Sequence, residues 1–324
     1  MTNLPEIAAA IRHSESVLIC GHIMPDGDCL GSVLALGLSL EAMGKKVVMA
    51  GPDPIPAIYE FLPGVDRFQT GPPPDGAYDT CIALDCSAPE RLGRDYQDLL
   101  AKKKVIINID HHAGSGILGT YCYIDTAAAA VGEIIFDLLK SMQVSISCET
   151  AINLYTAIVT DTGSFQYDNV TPDTHRRIAE LLEIGVPGAQ INVALHEETP
   201  KAALVLLREA LHTLTMTPCG KVCWMTVTLE MLKNTGALDE HTEGLVNYCR
   251  SIRGVEVGLL FREILAGTYK VSLRSKNIVD VNMLAAQFGG GGHAKAAGCV
   301  LKGALREIQD KVTRAAVLAT GGVL

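Results

Sequence analysis

Three consecutive residues able to bind a metal or move a proton, Asp110-His111-His112, stand at the end of the run Lys103-Lys104-Val105-Ile106-Ile107-Asn108-Ile109. A short stretch so rich in Val and Ile reads as a buried strand. Buried strands do not end in three such groups for packing reasons, because burying them costs free energy unless they find partners. In open α/β sheets, ligands sit outside the carboxyl ends of the strands, so this triplet stands where a site belongs.

Further groups of the same kind occur at the ends of other elements. His22, Asp26 and Asp28 lie in HIMPDGDCLGS after the apolar run 16–21, Asp85 follows DTCIAL, and Asp161 follows the helical pattern 149–160. Three of these four clusters follow strands, which gathers them at one edge of one sheet. The set holds too many oxygens for one zinc and too few sulfurs for a soft metal. Six or seven His and carboxylate ligands suit two divalent ions sharing one carboxylate. Such a pair, about 3.5–4 Å apart, polarises a phosphoryl oxygen and activates water. Pro25 fixes φ and Gly27 permits a tight turn, which aims Asp26 and Asp28 at different ions. The small Gly31 and Ser32 let the following helix pack close, its positive end toward a phosphate.

The elements needed to position these groups follow from periodicity. Strands are expected at 16–21, 46–50, 79–84 and 104–109, with helices at 5–13, 30–43, 88–102, 127–142, 149–160 and 172–184. That alternation implies an α/β domain: a parallel sheet with helices on both faces. Residues 189–211 read as a helical connector interrupted at Thr199-Pro200. From 212 onward the pattern is α+β, a smaller domain with a mixed sheet and helices on one face. Its strands are expected at 213–217, 222–229, 255–264 and 269–274, and its helices at 239–250, 280–287 and 302–319. The division expected is a catalytic domain at 1–187, a linker at 188–211 and a substrate domain at 212–324.

A length of 324 residues with 48% hydrophobic and 19% charged content fits two ordinary globular domains. The net charge of −9 is split: residues 1–211 sum to −13 and residues 212–324 to +4. An acidic half suits cations and a basic half suits an anionic ligand. No extended positive track exists for long duplex nucleic acid. Aromatic content of 5% leaves room for one or two stacked bases rather than a long platform. The ten Cys are scattered without a CxxC pair, as in a reduced, cytoplasmic protein. No signal-peptide pattern opens the chain, and no apolar run approaches the ~18 residues of a membrane helix.

In the second half, Gly289-Gly290-Gly291-Gly292 precedes His293, and a glycine run lets backbone N–H groups approach a phosphate. The strand ending Arg274-Ser275-Lys276 adds a basic cluster, whose arginine offers a planar fork to phosphate or carboxylate. Arg250, in NYCRSIRG, is a further cation on a helix.

Taken in order, HIMPDGDCLGS, LDCS, DHH and TDTGSF resemble the four motifs of the DHH phosphoesterase superfamily, and GGGGHAKAAGC resembles the DHHA1 substrate domain of one branch. The resemblance runs from about residue 16 to 300 and is nearest to the NrnA-like group of oligoribonucleases and 3′-phosphoadenosine-5′-phosphate phosphatases. It implies two divalent ions, manganese foremost, with magnesium or cobalt as alternatives. It makes His22 and Asp26 ligands of one ion, Asp28, His111 and Asp161 ligands of the other, and Asp85 the bridge. It gives His112 a phosphate-contacting or proton-donating role, with Asp110 orienting a neighbouring ligand. It assigns Arg274, Ser275 and His293 to the substrate; Gly290, Gly291 and Gly292 of the glycine run, and Arg250, are further candidate contacts on the reading of the residues alone. The implied substrates are short oligonucleotides or nucleotides, and a homodimer is left open. The competing readings are a family II inorganic pyrophosphatase, a long-strand exonuclease of RecJ type and a non-catalytic nucleotide sensor.

Overall fold

Asn3 opens the first helix with a capping box. Its side chain accepts from the Glu6 N–H at 2.9 Å, and Glu6 reaches back to the Asn3 N–H at 3.0 Å. In this computed structural model, which describes residues 2–73, 76–86, 88–112, 119–292 and 294–321, the chain then runs as follows. The first part comprises α1 (Leu4–His13), β1 (Ser16–Cys20), α2 (Gly27–Ala42), β2 (Lys46–Gly51), β3 (Phe68–Thr70), β4 (Thr80–Leu84), α3 (Arg94–Leu100), β5 (Val105–Asp110), β6 (Tyr121–Ile124), α4 (Val131–Ser141), α5 (Cys148–Asp161), α6 (Pro172–Ile184) and α7 (Gly188–His196). The second comprises α8 (Lys201–His212), β7 (Thr215–Met216), β8 (Val222–Val227), α9 (Leu229–Thr235), α10 (Leu245–Ser251), β9 (Val257–Leu265), β10 (Thr268–Ser275), α11 (Val281–Ala286), β11 (Gly291–Gly292), β12 (Ala296–Lys302) and α12 (Leu305–Ala319).

The chain divides into two compact units, Met1–Glu198 and Thr199–Leu324. Residues 189–211, expected as a helical connector interrupted at Thr199-Pro200, hold α7 in the first unit and α8 in the second. Thr199-Pro200 separates them, because proline cannot continue a helix through its own N–H.

The first unit is built on a six-stranded sheet in the order β3-β2-β1-β4-β5-β6, with every adjacent pair parallel. Side chains alternate between its faces. Val17 and Ile19 join the large core beneath α2, α4 and α5, while Leu18 and Cys20 join a smaller cluster with Tyr96 and Leu100 of α3. Helices therefore cover both faces, as the alternation predicts, and the chain order reverses on either side of β1 and β4. The carboxyl ends of β1, β4 and β5 are neighbours there.

The second unit carries a mixed sheet in the order β11-β12-β10-β9-β8-β7, with β8 and β9 parallel and the other pairs antiparallel. Here the expectation of helices on one face fails. Val257, Leu259 and Phe261 pack with α11 and α12, whereas Cys223, Met225, Val227 and Leu260 pack with α8, α9 and α10. Both faces of β8 and β9 are apolar, so both need a cover.

Local boundaries also differ. The helix expected over 88–102 is a short 3-10 turn (Pro89–Leu92) followed by α3, because Gly93 between them has φ +74°. The helix expected over 239–250 breaks at Gly244, φ +76°, for the same reason. Strands β3, β6, β11 and β12 and helix α9 have no counterpart in the sequence expectation.

Candidate metal and phosphate site

Each of the parallel strands β1, β4 and β5 delivers its last residues to the same edge. His22 follows β1 and is 1% exposed, Asp85 follows β4 at 2%, and Asp110 ends β5 at 0%. Asp85 adopts φ +58°, a left-handed conformation that turns the chain sharply off the strand end. His111 and His112 come next on the β5 side.

Two helices complete the cluster. Asp26 caps α2, its Oδ1 accepting from the Cys29 N–H at 3.1 Å, and Asp28 lies in the first turn. Asp161 is the last residue of α5. These helices approach closely because small residues face each other. A Cβ on Gly31 would stand 2.5 Å from the Asn153 carbonyl oxygen, and one on Gly27 would collide with the Thr160 side chain.

The helix expected from 127 begins only at Val131, and the cause lies across the fold. Asp28 Oδ2 accepts the Val131 N–H at 2.7 Å and its Oδ1 accepts the Gly132 N–H at 2.9 Å, so the carboxylate of α2 caps α4. Ser32 Oγ donates to the same Oδ1 at 3.2 Å. The preceding residues are used as backbone contacts. The Ala128 carbonyl receives His111 Nδ1 at 3.2 Å, and the Ala129 carbonyl receives Asn169 Nδ2 at 3.0 Å. Asn169 also donates to the Asp161 carbonyl at 3.1 Å, which ties the end of α5 to the wall that holds Asp28 and His111.

The side chains converge as follows. His22 Nε2 lies 3.2 Å from Asp85 Oδ2 and 3.8 Å from Asp26 Oδ1. His111 Nε2 lies 3.5 Å from Asp161 Oδ2, 3.7 Å from Asp85 Oδ1 and 3.9 Å from Asp28 Oδ2. His112 Nδ1 is 2.6 Å from Asp110 Oδ1 and 3.4 Å from Asp85 Oδ1. Asp85 thus turns one oxygen toward His22 and the other toward the two histidines after β5. Among the described residues, three sets have ligand atoms all within 4.8 Å of one another: His22, Cys29 and Asp85; Asp85, His111 and His112; and Asp28, His111 and Asp161.

The electrostatics call for positive charge. Burial, and then the neighbouring Asp85 and Asp161, push the Asp28 carboxyl well above its ordinary range. Burial raises Asp161 as well, and Asp26 and Asp85 add to the effect against the pull of His111. His111 is moved up although burial opposes its charged form, because Asp28, Asp161 and Asp85 outweigh it. His22 Nε2 and Asp85 Oδ1 are buried without a hydrogen-bond partner. A divalent cation would satisfy those orphaned atoms and relieve the crowded carboxylates, so the residues fit the metals expected here.

Cys29 and Arg91 are additions that motif reading missed. Cys29 Sγ accepts the His22 N–H at 3.3 Å, and Arg91 Nη2 lies 2.9 Å from His22 Nδ1. The sequence signal for Cys29 was its place inside HIMPDGDCLGS. Arg91 carried none, since its position depends on how the 3-10 turn packs beside β1.

In the second unit, Arg274 lies on β10, with Nη1 donating to the Leu273 carbonyl at 3.1 Å and Nη2 4.0 Å from Glu243. Ser275 is 1% exposed, and its hydroxyl donates to the Val279 carbonyl at 2.7 Å. It serves the turn after β10 rather than presenting itself to a ligand. The Gly290 N–H is likewise used, donating to the Ala285 carbonyl at 3.0 Å, and Gly291 and Gly292 form β11 against Gly298 and Ala297. These glycines have a packing reason, because a Cβ on Gly292 would stand 2.5 Å from the Ala296 carbonyl oxygen. Arg250 lies on α10, and His293 lies outside the described residues. Arg262 and Lys270 stand in register on β9 and β10, and Arg262 pairs with Asp239 at 3.5 Å.

Each unit contains a match to a known protein family. Residues 16–161 match the family described as "DHH family, N-terminal domain", and residues 224–317 match the "DHHA1 domain". The bifunctional oligoribonuclease and PAP phosphatase NrnA of Thermus thermophilus is 33% identical, over 93% of this chain and 92% of that protein. The probable enzyme of the same name in Streptococcus mutans is 29% identical, over 92% and 93%. Among solved structures, an exopolyphosphatase-related protein from Bacteroides fragilis superposes with a TM-score of 0.90 at 26% identity, covering 96% of this chain and 94% of that one. With its DHH domain, its DHHA1 domain and its likeness to NrnA over nearly its whole length, the chain belongs to the DHH phosphoesterase family, in the NrnA-like branch.

Proposed function

We propose that this chain is a two-metal phosphoesterase of short substrates: oligonucleotides down to dinucleotides such as pApA or pGpG, the 3′-phosphate of 3′-phosphoadenosine 5′-phosphate, or both. The observation that carries the reading is Asp85, whose two oxygens face different histidines, Oδ2 toward His22 at 3.2 Å and Oδ1 toward His111 at 3.7 Å. In this reading His22, Asp26 and Asp85 hold one ion, and Asp28, His111, Asp161 and Asp85 hold the other, with manganese the proposed metal. When bound, such ions supply Lewis-acid polarisation of the phosphoryl group and an activated water at neutral pH.

The chain's own residues do the rest. Asp110 Oδ1 can only accept, so His112 donates from Nδ1 and keeps Nε2 for exchanging a proton with the leaving oxygen. The Ala128 carbonyl fixes His111 in the complementary role, with Nδ1 donating and Nε2 left as a ligand. The N-terminus of α2 adds a positive dipole end beside the anionic substrate. In the second unit, Arg274 is the residue proposed to bind an anionic group of the substrate, with Arg250 a second cation. The expected setting is the cytoplasm, and no single helix among the described residues is long and apolar enough to cross a membrane.

The test is a side-by-side assay of the purified protein with manganese on pApA, longer RNA, 3′-phosphoadenosine 5′-phosphate and pyrophosphate. Turnover of pApA or 3′-phosphoadenosine 5′-phosphate well above the other two is the expected result. Preference for pyrophosphate, or turnover of none, rejects the reading.

A further inference from the structure

Three successive residues after Asp161 stand in the left-handed region: Gly163 at φ +55°, Ser164 at +56° and Phe165 at +65°. Left-handed backbone costs an L-residue free energy and is visited by single residues rather than by runs. Glycine is at ease there, whereas serine and phenylalanine are not. Each of the two therefore needs a reason not to be glycine.

Phe165 has one in packing. Its ring lies against the core of the first unit, with its centroid 5.2 Å from that of the His175 ring. Ser164 has no comparable apolar body to bury. What its side chain adds is a hydroxyl, and Oγ lies 3.0 Å from His196 Nε2. His196 is the last residue of α7, a helix fixed to the same core by the buried Ile191 and Leu195. The first unit ends two residues later, at Glu198.

The turn that Ser164 belongs to is continuous with Asp161. The Ser164 N–H donates to the Val159 carbonyl at 2.8 Å, and the Gln166 and Tyr167 N–H groups both donate to the Thr162 carbonyl, at 3.0 and 3.1 Å. The Thr162 hydroxyl accepts the Phe165 N–H at 3.2 Å. The turn then delivers Asn169, whose amide holds the Asp161 and Ala129 carbonyls together. A side-chain hydrogen bond open to water adds little to the stability of a whole fold. Its effect here is local, on how a strained turn rests.

We propose that His196 is a positioning residue: through Ser164 it holds the left-handed turn, and with it the end of α5 that carries Asp161. This rests on the phosphoesterase reading for the role of Asp161, and it adds to the site a residue that lies outside every motif.

The experiment compares wild type, His196→Ala, His196→Gln, Ser164→Gly and the double variant by amide hydrogen exchange, thermal unfolding, manganese titration and turnover of pApA. In His196→Ala the Ser164, Gln166 and Tyr167 N–H groups should exchange about 3- to 10-fold faster, the range for one lost hydrogen bond. Manganese affinity and kcat should fall by a similar factor, with KM little changed, while the melting temperature stays within about 2 °C. His196→Gln, which places an amide near the position of Nε2, should stay close to wild type in all of these. Ser164→Gly should melt about 2–4 °C higher because the strain is gone, yet lose manganese affinity as His196→Ala does. The double variant should bind manganese no more weakly than the weaker single one, since both act through one contact. Unchanged exchange and manganese affinity in His196→Ala overturn the proposal. So do full affinity in Ser164→Gly, and losses that add in the double variant. Should His196→Ala fail to fold, Ser164→Gly decides by the same measurements. Exchange and manganese affinity are read without turnover, so a wild type that hydrolyses no substrate rejects the enzymatic reading while these two still decide on His196.

Discussion

Asp110 Oδ1 accepts three hydrogen bonds at once, from His112 Nδ1 at 2.6 Å and from the backbone N–H groups of His111 and His112 at 2.7 and 3.1 Å. One buried carboxylate oxygen thus sets both the ring of His112 and the path of the chain between the two histidines. His112→Ala should therefore keep its metal while kcat falls by about 10²–10⁴, the usual contribution of a positioned acid or base. His111→Ala should lose metal. Metal analysis of the pair separates the roles, and equal loss in both would reject the division.

Asp85→Asn should lower metal content and cut activity more than Asp26→Asn, because residue 85 serves both halves of the cluster. Asparagine tolerates the left-handed backbone at this position, so the fold should survive, which thermal unfolding checks. Near-normal metal content and turnover in Asp85→Asn would remove the bridging assignment.

Gly31→Ala tests the seam between α2 and α5. The added methyl meets a backbone oxygen rather than a yielding side chain, so the helices must separate. A loss of about 1–3 kcal/mol in stability is expected, as for an overpacked core. Metal affinity should weaken with it, since Asp28 and Asp161 ride on the two helices. Denaturant unfolding and metal titration on one variant measure both.

Glu256 gives a pH-dependent prediction away from the metals. Burial opposes its charge, yet Oε1 accepts the N–H groups of Asn277, Ile278 and Val279 at 2.9, 2.7 and 3.1 Å, and the carboxyl is held below its ordinary value. A depressed carboxylate contributes stability above its unfolded pKa, about 4.3, and that contribution fades as pH falls through the folded value. Glu256→Gln should cost about 1.5–3 kcal/mol near neutral pH. The gap from wild type should be flat above about pH 5 and narrow in acid. A gap independent of pH would mean the charge is irrelevant to the turn.

Arg274→Ala should reduce kcat/KM on a dinucleotide by about 2–3 kcal/mol, as for a lost charged contact, and hardly change it on p-nitrophenyl phosphate. Equal loss on both substrates would move Arg274 from substrate binding to the fold.

What could be read from sequence was whatever chemistry and local pattern expressed together. Val105–Asp110 announces both a strand and its polar end, so the edge carrying His22, Asp85 and His111 was legible, as was the parallel sheet. The roles of Asn169, Arg91 and the Ala128–Gly132 wall were not, because each is defined by a partner distant in the chain. The late start of α4 is the clearest case: an alanine run with high helix propensity stays unwound because Asp28, 103 residues away, caps Val131. Likewise the glycine run reads locally as a backbone cradle for phosphate, whereas the Gly289 and Gly290 N–H groups donate to the Ala286 and Ala285 carbonyls and Gly291 and Gly292 pair with Gly298 and Ala297.

Residue 85 sets heat tolerance against turnover. An aspartate at φ +58° gives up about 1–2 kcal/mol relative to a residue at ease in that region. Asp85→Gly would recover it while also ridding the interior of a charge that lacks a full set of partners. A laboratory selection for thermal resistance alone would therefore reach this position early and yield a hardier, inert protein. Stabilisation of this chain has to start from positions that leave the ends of β1, β4 and β5 as they are.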